Sequence, residues 1–356
     1  MKLIHCSDLH LDSKMEALPP EKARERSSEL RLGFERMVTW ALDNGVSVIM
    51  IAGDMFDTER ISPATVSFVL DVMRRAPEIA FLYLRGNHDE SRYAFIGQEL
   101  PDNLKLFSDR WQSLDCGEAV ISGVELTRDN CRDIYGELRL DPDRLNLVLL
   151  HGQTGTSPGE DTVALPLLCG KGIDYLALGH IHSFDGGELG TDGRWCYCGC
   201  LEGRGFDECG DKGFVLLDIS GGLVDYSFIP FAKRRLHNIA VCITGLETVT
   251  ELRDAMSSAC EGIPSGDLVK FTLTGTFTPD TQKDLSFLRR AFEDSFYFVR
   301  IKDESRLALP SEDYMNDVSL KGEFIRSVMA AELEASEKEH IILLGLRALA
   351  GEEVEI

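Results

Sequence analysis

Short apolar runs recur along roughly the first 230 residues, and each stops abruptly at a glycine or a polar residue. Lys2–Cys6, Val46–Ala52, Ile79–Leu84, Leu145–Leu150 and Ile173–Leu178 are brief and rich in β-branched residues and Leu, the pattern of buried strands. Between them the apolar period changes to that of a helix. One helix is expected over about Pro20–Asn44, opened by Pro19-Pro20, with Leu30, Phe34, Met37, Val38 and Ala41 on one face. A second is expected over Ile61–Arg75, with Val66, Val69, Leu70 and Met73 at helical spacing. Later stretches, Ala119–Leu126, Trp195–Cys200, Phe214–Ile219 and Val224–Phe231, read as strands joined by short turns and predict a second sheet. The expected class is α/β, with two packed sheets flanked by helices.

The pattern restarts near Lys233-Arg-Arg235. Strands are predicted at Leu236–Ile243, Asp267–Thr274 and Phe296–Ile301, with helices at Thr248–Cys260 and Asp280–Asp294. This is a small α+β module. Two further helices are expected at Ser319–Ala335 and Ser336–Ala350, with Ser336-Glu-Lys-Glu339 as a capping box between them. Leu320, Phe324, Val328 and Met329 share a face, read as docking on the chain's own body ahead of a partner surface. Three parts result: 1–231, 232–305 and 306–356.

A chain of 356 residues suits two or three domains. No apolar run approaches the roughly 18 residues of a membrane span. The chain enters a strand-like run at once, without a secretory pattern, so a cytoplasmic location is expected. The ten cysteines include no CxxC pair, which favours buried thiols over disulfides. Cys196, Cys198 and Cys200 alternate along an extended segment, poor geometry for one metal, and read as packed thiols. With 37 basic and 60 acidic residues the net charge is −23. Proteins that hold nucleic acid alone usually gain affinity from a basic surface. Here the substrate is small, or contact with DNA is local, metal-centred and helped by a partner.

Five stretches in order carry the chemistry: Asp8-Leu-His10, Gly53-Asp54-Met-Phe-Asp57, Gly86-Asn87-His88-Asp89, His151-Gly152 and Gly179-His180-Ile-His182. Each follows an apolar run, and together they hold five of the eight histidines. Strand ends let groups distant in sequence converge on a rigid frame. Asp8 and His10 can turn toward one metal, the Asp54 carboxylate can bridge two, Asn87 offers an amide oxygen, and His151, His180 and His182 offer imidazole nitrogens. This nitrogen-rich set suits Mn, Fe, Zn or Ni rather than a Ca or Mg cage. Two such ions about 3.5–4 Å apart hold a bridging hydroxide and clamp an in-line displacement at phosphorus. His88, beside Asn87, is placed to protonate the leaving oxygen. Asp89 is expected to orient His88, and Asp57 to orient groups near Asp54. His5 reads as a packed histidine.

These five blocks resemble the calcineurin-like metallophosphoesterase superfamily. The resemblance covers roughly 1–231 and implies a four-layer αββα sandwich of two mixed sheets. It also implies one ion on Asp8, His10, Asp54 and His182 and a second on Asp54, Asn87, His151 and His180. Within the superfamily, His5-Cys-Ser-Asp8-Leu-His10-Leu-Asp12-Ser13, Gly53–Thr58 and Tyr197-Cys-Gly-Cys-Leu-Glu-Gly-Arg204-Gly-Phe206 with Glu208 resemble the SbcD/YhaO branch of DNA-repair nucleases. That branch implies a manganese-dependent exo- or endonuclease acting on DNA ends, a homodimer, and a coiled-coil ABC-type ATPase partner. It also implies a DNA-capping module near 232–305 and an ATPase-binding segment in the final helices. Cys198 and Cys200 depart from the branch, standing where relatives tend to have Pro and a small polar residue. Arg204 is expected to meet a phosphate or to form a structural ion pair. Rival readings are a phosphoesterase for small esters or cyclic nucleotides, which the acidic charge favours, and a non-catalytic scaffold, which degenerate ligands would have indicated.

Overall fold

Four parallel strands, β1 (Lys2–Cys6), β2 (Val46–Ala52), β3 (Ala80–Leu84) and β4 (Leu104–Leu106), form one side of the first sheet. β13 (Gly213–Ser220) and β14 (Leu223–Pro230) extend it antiparallel beyond β1. The second sheet is built alike. β12 (Gly193–Tyr197), β10 (Tyr175–Gly179), β7 (Leu145–His151) and β6 (Ala119–Gly123) run parallel, flanked by antiparallel β11 (Asp185–Leu189) and β5 (Gln112–Asp115). A small ribbon pairs β8 (Gln153–Gly155) with β9 (Thr162–Ala164). A computed structural model describes residues 1–15, 18–57, 61–89, 95, 97–191, 193–278, 281–308 and 316–349. The chain divides into two units, Met1–Arg235 and Leu236–Ile356.

Within the first unit the two sheets face each other. Leu3, Val48, Met50 and Leu82 of one meet Ile121, Leu147, Leu149 and Ala177 of the other in one buried cluster. Alternation explains the continuous apolar runs: the other face of each central strand is buried too. Helices α1 (Pro20–Asp43) and α2 (Pro63–Arg74) belong to the first sheet's half. The second sheet's outer face is closed by residues such as Tyr135 and Leu168, from two short helices at Ile134–Glu137 and Leu165–Leu168. This is the expected four-layer α/β sandwich of two mixed sheets, with a thin outer layer on one side.

Sequence and structure differ mainly at edges. β4, β5 and β11 carry no apolar run and escape a hydrophobic reading. The strand expected at Trp195–Cys200 stops at Tyr197, because Gly199 turns through φ 74°. All three cysteines of that stretch are free and buried. His5 is packed: its Nδ1 lies 2.9 Å from the Tyr175 hydroxyl, and burial pushes its pKa down to about 3.

A buried ionic group ties α1 to the strand-end segment around residue 202. Arg26, only 1 % exposed, pairs with Glu29 and Glu202 and donates to the Gly203 carbonyl at 2.7 Å. Lys233 and Arg234 close on Glu29 as well.

The second unit has a three-stranded parallel sheet, Leu236–Cys242, Leu268–Thr274 and Phe298–Asp303. Its helix Val249–Ala259 begins with a capping box made by Thr248 and Glu251. The next helix is shorter than expected, Leu285–Glu293, because the Asp284 side chain caps it; the expected start at Asp280 lies outside the described residues. Ile325, Val328 and Ile342, from helices Leu320–Ala330 and Ala335–Leu349, share the core of the three-stranded sheet. Phe324 and Met329 join that face, whereas Leu320, at the first helical position, is 71 % exposed. The last helix starts one residue before Ser336, which therefore sits in the first turn rather than at the cap. Glu339 instead accepts the Leu307 N–H at 2.6 Å. Among the described residues no helix is long and apolar enough to cross a membrane.

Candidate metal centre

All five stretches leave the carboxyl ends of parallel strands: β1, β2 and β3 in one sheet, β7 and β10 in the other. The sheets bring these ends together, and backbone hydrogen bonds bind the loops to one another. Asp8 N–H donates to Gly53 O and His10 N–H to Asp54 O, each at 3.0 Å. Asp8, His10, Asp54 and His180 all adopt positive φ (52°, 42°, 52° and 99°), a region non-glycine residues rarely occupy. Such strain clusters at functional sites. Gly53, at φ 93°, lies so close that a Cβ there would strike the His151 ring.

The turns aim seven side chains at one place. Asp8, His10 and His182 form one group of potential ligand atoms within 4.8 Å of one another, and Asp8, Asp54 and His151 form another. His10 Nε2 lies 3.2 Å from His182 Nε2. Asp54 Oδ2 stands between the two sides, 3.8 Å from His10 Nε2 and 3.4 Å from His151 Nε2. Asn87 Oδ1 completes the far side, 2.9 Å from His151 Nε2 and 3.1 Å from His180 Nδ1.

These groups suit divalent cations for reasons internal to the chain. Asp8 and Asp54 are each 1 % exposed, and two buried carboxylates this close require compensating positive charge. The His151 Nδ1–H is committed to the Ala52 carbonyl at 2.9 Å. Its Nε2 therefore faces the oxygens of Asp54 and Asn87 and needs a proton or a cation between them. Without metal the proton is held: burial alone would lower the His151 pKa, but the Asp54 carboxylate raises it to about 9. His10, by contrast, is pushed down to about 2, first by burial and then by the charge of Arg204.

Around these groups lies a supporting layer that the sequence only partly revealed. Glu208 accepts the His182 Nδ1–H at 2.7 Å, which leaves Nε2 free to face the site. Arg204 pairs with Glu208 at 2.6 Å and donates its backbone N–H to the same carboxylate. Arg204 is thus engaged in the ion pair, and the negative charge of Asp57 also favours its charged form. Burial would raise the Glu208 pKa, but His182 and Arg204 hold it far below the carboxylate range. Asp89 does something other than expected. Its carboxylate accepts backbone N–H groups of Met55, Phe56 and Gly86 at 3.0–3.2 Å. It fastens two ligand loops together rather than orienting the His88 ring. His88 donates its backbone N–H to Asp54 at 2.9 Å, and its exposed ring stands edge-on to His10, with centroids 5.0 Å apart. No cysteine belongs to either ligand group.

A cleft of about 350 Å³ opens beside Asn87 and His151, with Arg128, Glu160 and Asp161 among its walls. With this geometry in place, comparison with known proteins fixes the family. The family model of the calcineurin-like phosphoesterases matches residues 1–184. The chain belongs to that family. Membership implies divalent metal ions.

The chain is 28% identical over 284 residues to the metallophosphoesterase YhaO of Bacillus subtilis, covering 71% of this chain and 65% of that protein. It is 25% identical to the DNA double-strand break repair protein Mre11 of Methanopyrus kandleri, covering 71% and 62%. The chain therefore spans somewhat less than two thirds of these two relatives. Against the SbcD component of the Escherichia coli nuclease SbcCD it is 24% identical, and the match spans 99% of both chains.

Proposed function

We propose that this calcineurin-like phosphoesterase hydrolyses phosphodiester bonds of DNA as the nuclease component of a repair complex. The observation that carries this reading is the end-to-end match to the SbcD component of nuclease SbcCD. Two divalent ions, manganese first, fit the centre: one on Asp8, His10, Asp54 and His182, the other on Asp54, Asn87, His151 and His180. Bound there, they supply Lewis acidity toward a phosphate and lower the pKa of an attacking water. The residues do the rest. Asp54 fixes the spacing of the two sides, Glu208 sets the tautomer of His182, and Asp89 holds the Asn87 loop against the Asp54 loop. His88, exposed at the mouth beside His10, passes a proton to the leaving oxygen. A coiled-coil ABC-type ATPase partner, a homodimer and a cytoplasmic setting complete the proposal. The partner offsets the acidic charge of −23, which by itself favours a second reading, hydrolysis of small phosphoesters or cyclic nucleotides. Retention of all seven ligand-type side chains argues against a scaffold.

The test is manganese-dependent hydrolysis of end-labelled duplex and single-stranded DNA, beside bis-p-nitrophenyl phosphate and cyclic nucleotides. DNA cleavage is expected, and His88→Ala should lower kcat about 10²–10⁴-fold with bound metal retained. Turnover of the small esters alone, with and without the ATPase, would overturn the DNA assignment.

A further inference from the structure

Lys212 is only 2 % exposed, yet it belongs to neither ligand group. Lysine is rarely buried this deeply unless an acidic group pairs with its charge. Among the described residues no carboxylate does so; its Nζ donates instead to the backbone carbonyl of His182 at 2.6 Å. That carbonyl lies in a loop outside any helix or strand, so no regular ladder supplies it with a donor. Its contacts to Cys200 are long, 3.5 Å from the backbone N–H and 3.6 Å from the thiol. Lys212 therefore makes the short bond that holds the His182 backbone.

The bond spans the two sheets. His182 follows β10 of the second sheet, whereas Lys212 immediately precedes β13 of the first. β13 pairs with β1, the strand whose end carries Asp8 and His10. Lys212 is itself fixed, because its carbonyl accepts the Phe231 and Ala232 N–H groups at 2.8 and 3.0 Å. Gly199 permits the close packing of the His182 loop. A Cβ at that residue, which has φ 74°, would lie 3.2 Å from the His182 oxygen and 3.0 Å from the Phe184 nitrogen. Glu208 sets the tautomer of the ring at 2.7 Å, but a correctly turned ring on a displaced backbone would still miss the ion.

We infer that Lys212 is a positioning residue, holding His182 of the second sheet in register with Asp8 and His10 of the first. Its ammonium is no ligand, and its charge opposes a nearby cation. Charge alone would therefore make the site tighter when Lys212 is replaced by a neutral residue. Positioning makes the site weaker, so the sign of the change separates the two. The inference deepens the metal-centre reading above and does not depend on which phosphoester is cleaved.

The experiment is calorimetric titration of the full, metal-free chain with manganese, with and without Lys212→Met. Methionine fills similar space but has neither the donor nor the charge. Each titration is repeated in the Asn87→Ala background, which confines binding to the side of Asp8, His10 and His182. Lys212→Met should weaken the ion on that side about tenfold and leave the Asn87 side unchanged. The melting temperature of the metal-free protein should hold, and the electron paramagnetic resonance spectrum of the single bound manganese should change. Tighter binding, or an equal loss on both sides, would overturn the inference. Should Lys212→Met not fold, Lys212→Gln, whose shorter side chain falls short of the carbonyl, carries the same comparison with the same outcomes. An unsubstituted chain that binds no manganese would overturn the ligand assignment, and the role of Lys212 with it. The choice of DNA as substrate does not enter the titration and stands or falls on the cleavage assay.

Discussion

On one side of the metal centre Asp8 and His10 are sealed from solvent, and His182 is backed by Glu208 and Arg204. On the other side Asn87 is only partly covered, His180 is half-buried, and Asn87 is positioned by contacts to His151 and His180. Asp54 lies between, buried, and His151 on the second side is buried as well. The first side is preorganised, with ring orientation set before any ion arrives. The second side must draw a partly solvated amide into place, so part of its binding energy goes into ordering that group. Two ion sites of unequal affinity are therefore expected, the tighter at Asp8, His10 and His182.

The largest effect should come from Asp54→Ala, which removes the carboxylate common to both sides. Elemental analysis should find both ions lost and ester hydrolysis at background. One tightly held ion would show that Asp54 does not bridge. Asn87→Ala should be selective, abolishing the weaker site while the tighter one still fills. Glu208→Gln should act on the opposite side, weakening the tighter ion about 10–100-fold. If both variants weaken the same site, the two sides are not independent in the way the geometry implies.

A smaller effect is a dependence on pH. Metal must displace the His151 proton, so affinity on the Asn87 side should rise with pH and level off above about 9. The metal-free fold responds with the opposite sign. The His151 pKa is raised above its ordinary 6.5, so its pairing with Asp54 stabilises fully below pH 6.5 and is lost as pH rises through about 9. The melting-temperature gain on adding manganese should accordingly widen across that interval.

The ligand-type residues were legible because each lies within a few residues of a strand end, where an apolar run stops at a glycine or a short polar motif. The central strands of both sheets were legible for the same reason, being buried on two faces. Edge strands such as Gln112–Asp115 are largely exposed and leave no hydrophobic trace. Glu208 sits 26 positions from His182, and no local spacing signals that contact. Asp89 was visible as a carboxylate, but its work, binding backbone of a loop more than 30 residues away, depends on tertiary approach. The positive φ values at Asp8, His10 and Asp54 likewise leave no mark in the hydrophobic pattern, although Asp and His tolerate that region better than most residues.

The most direct test is calorimetric titration of the metal-free, full-length protein with manganese. Two equivalents binding in two resolved steps of unequal affinity, with protons released on filling, is the predicted result. A single equivalent, or two indistinguishable ones, would contradict a centre built with one sealed side and one open side.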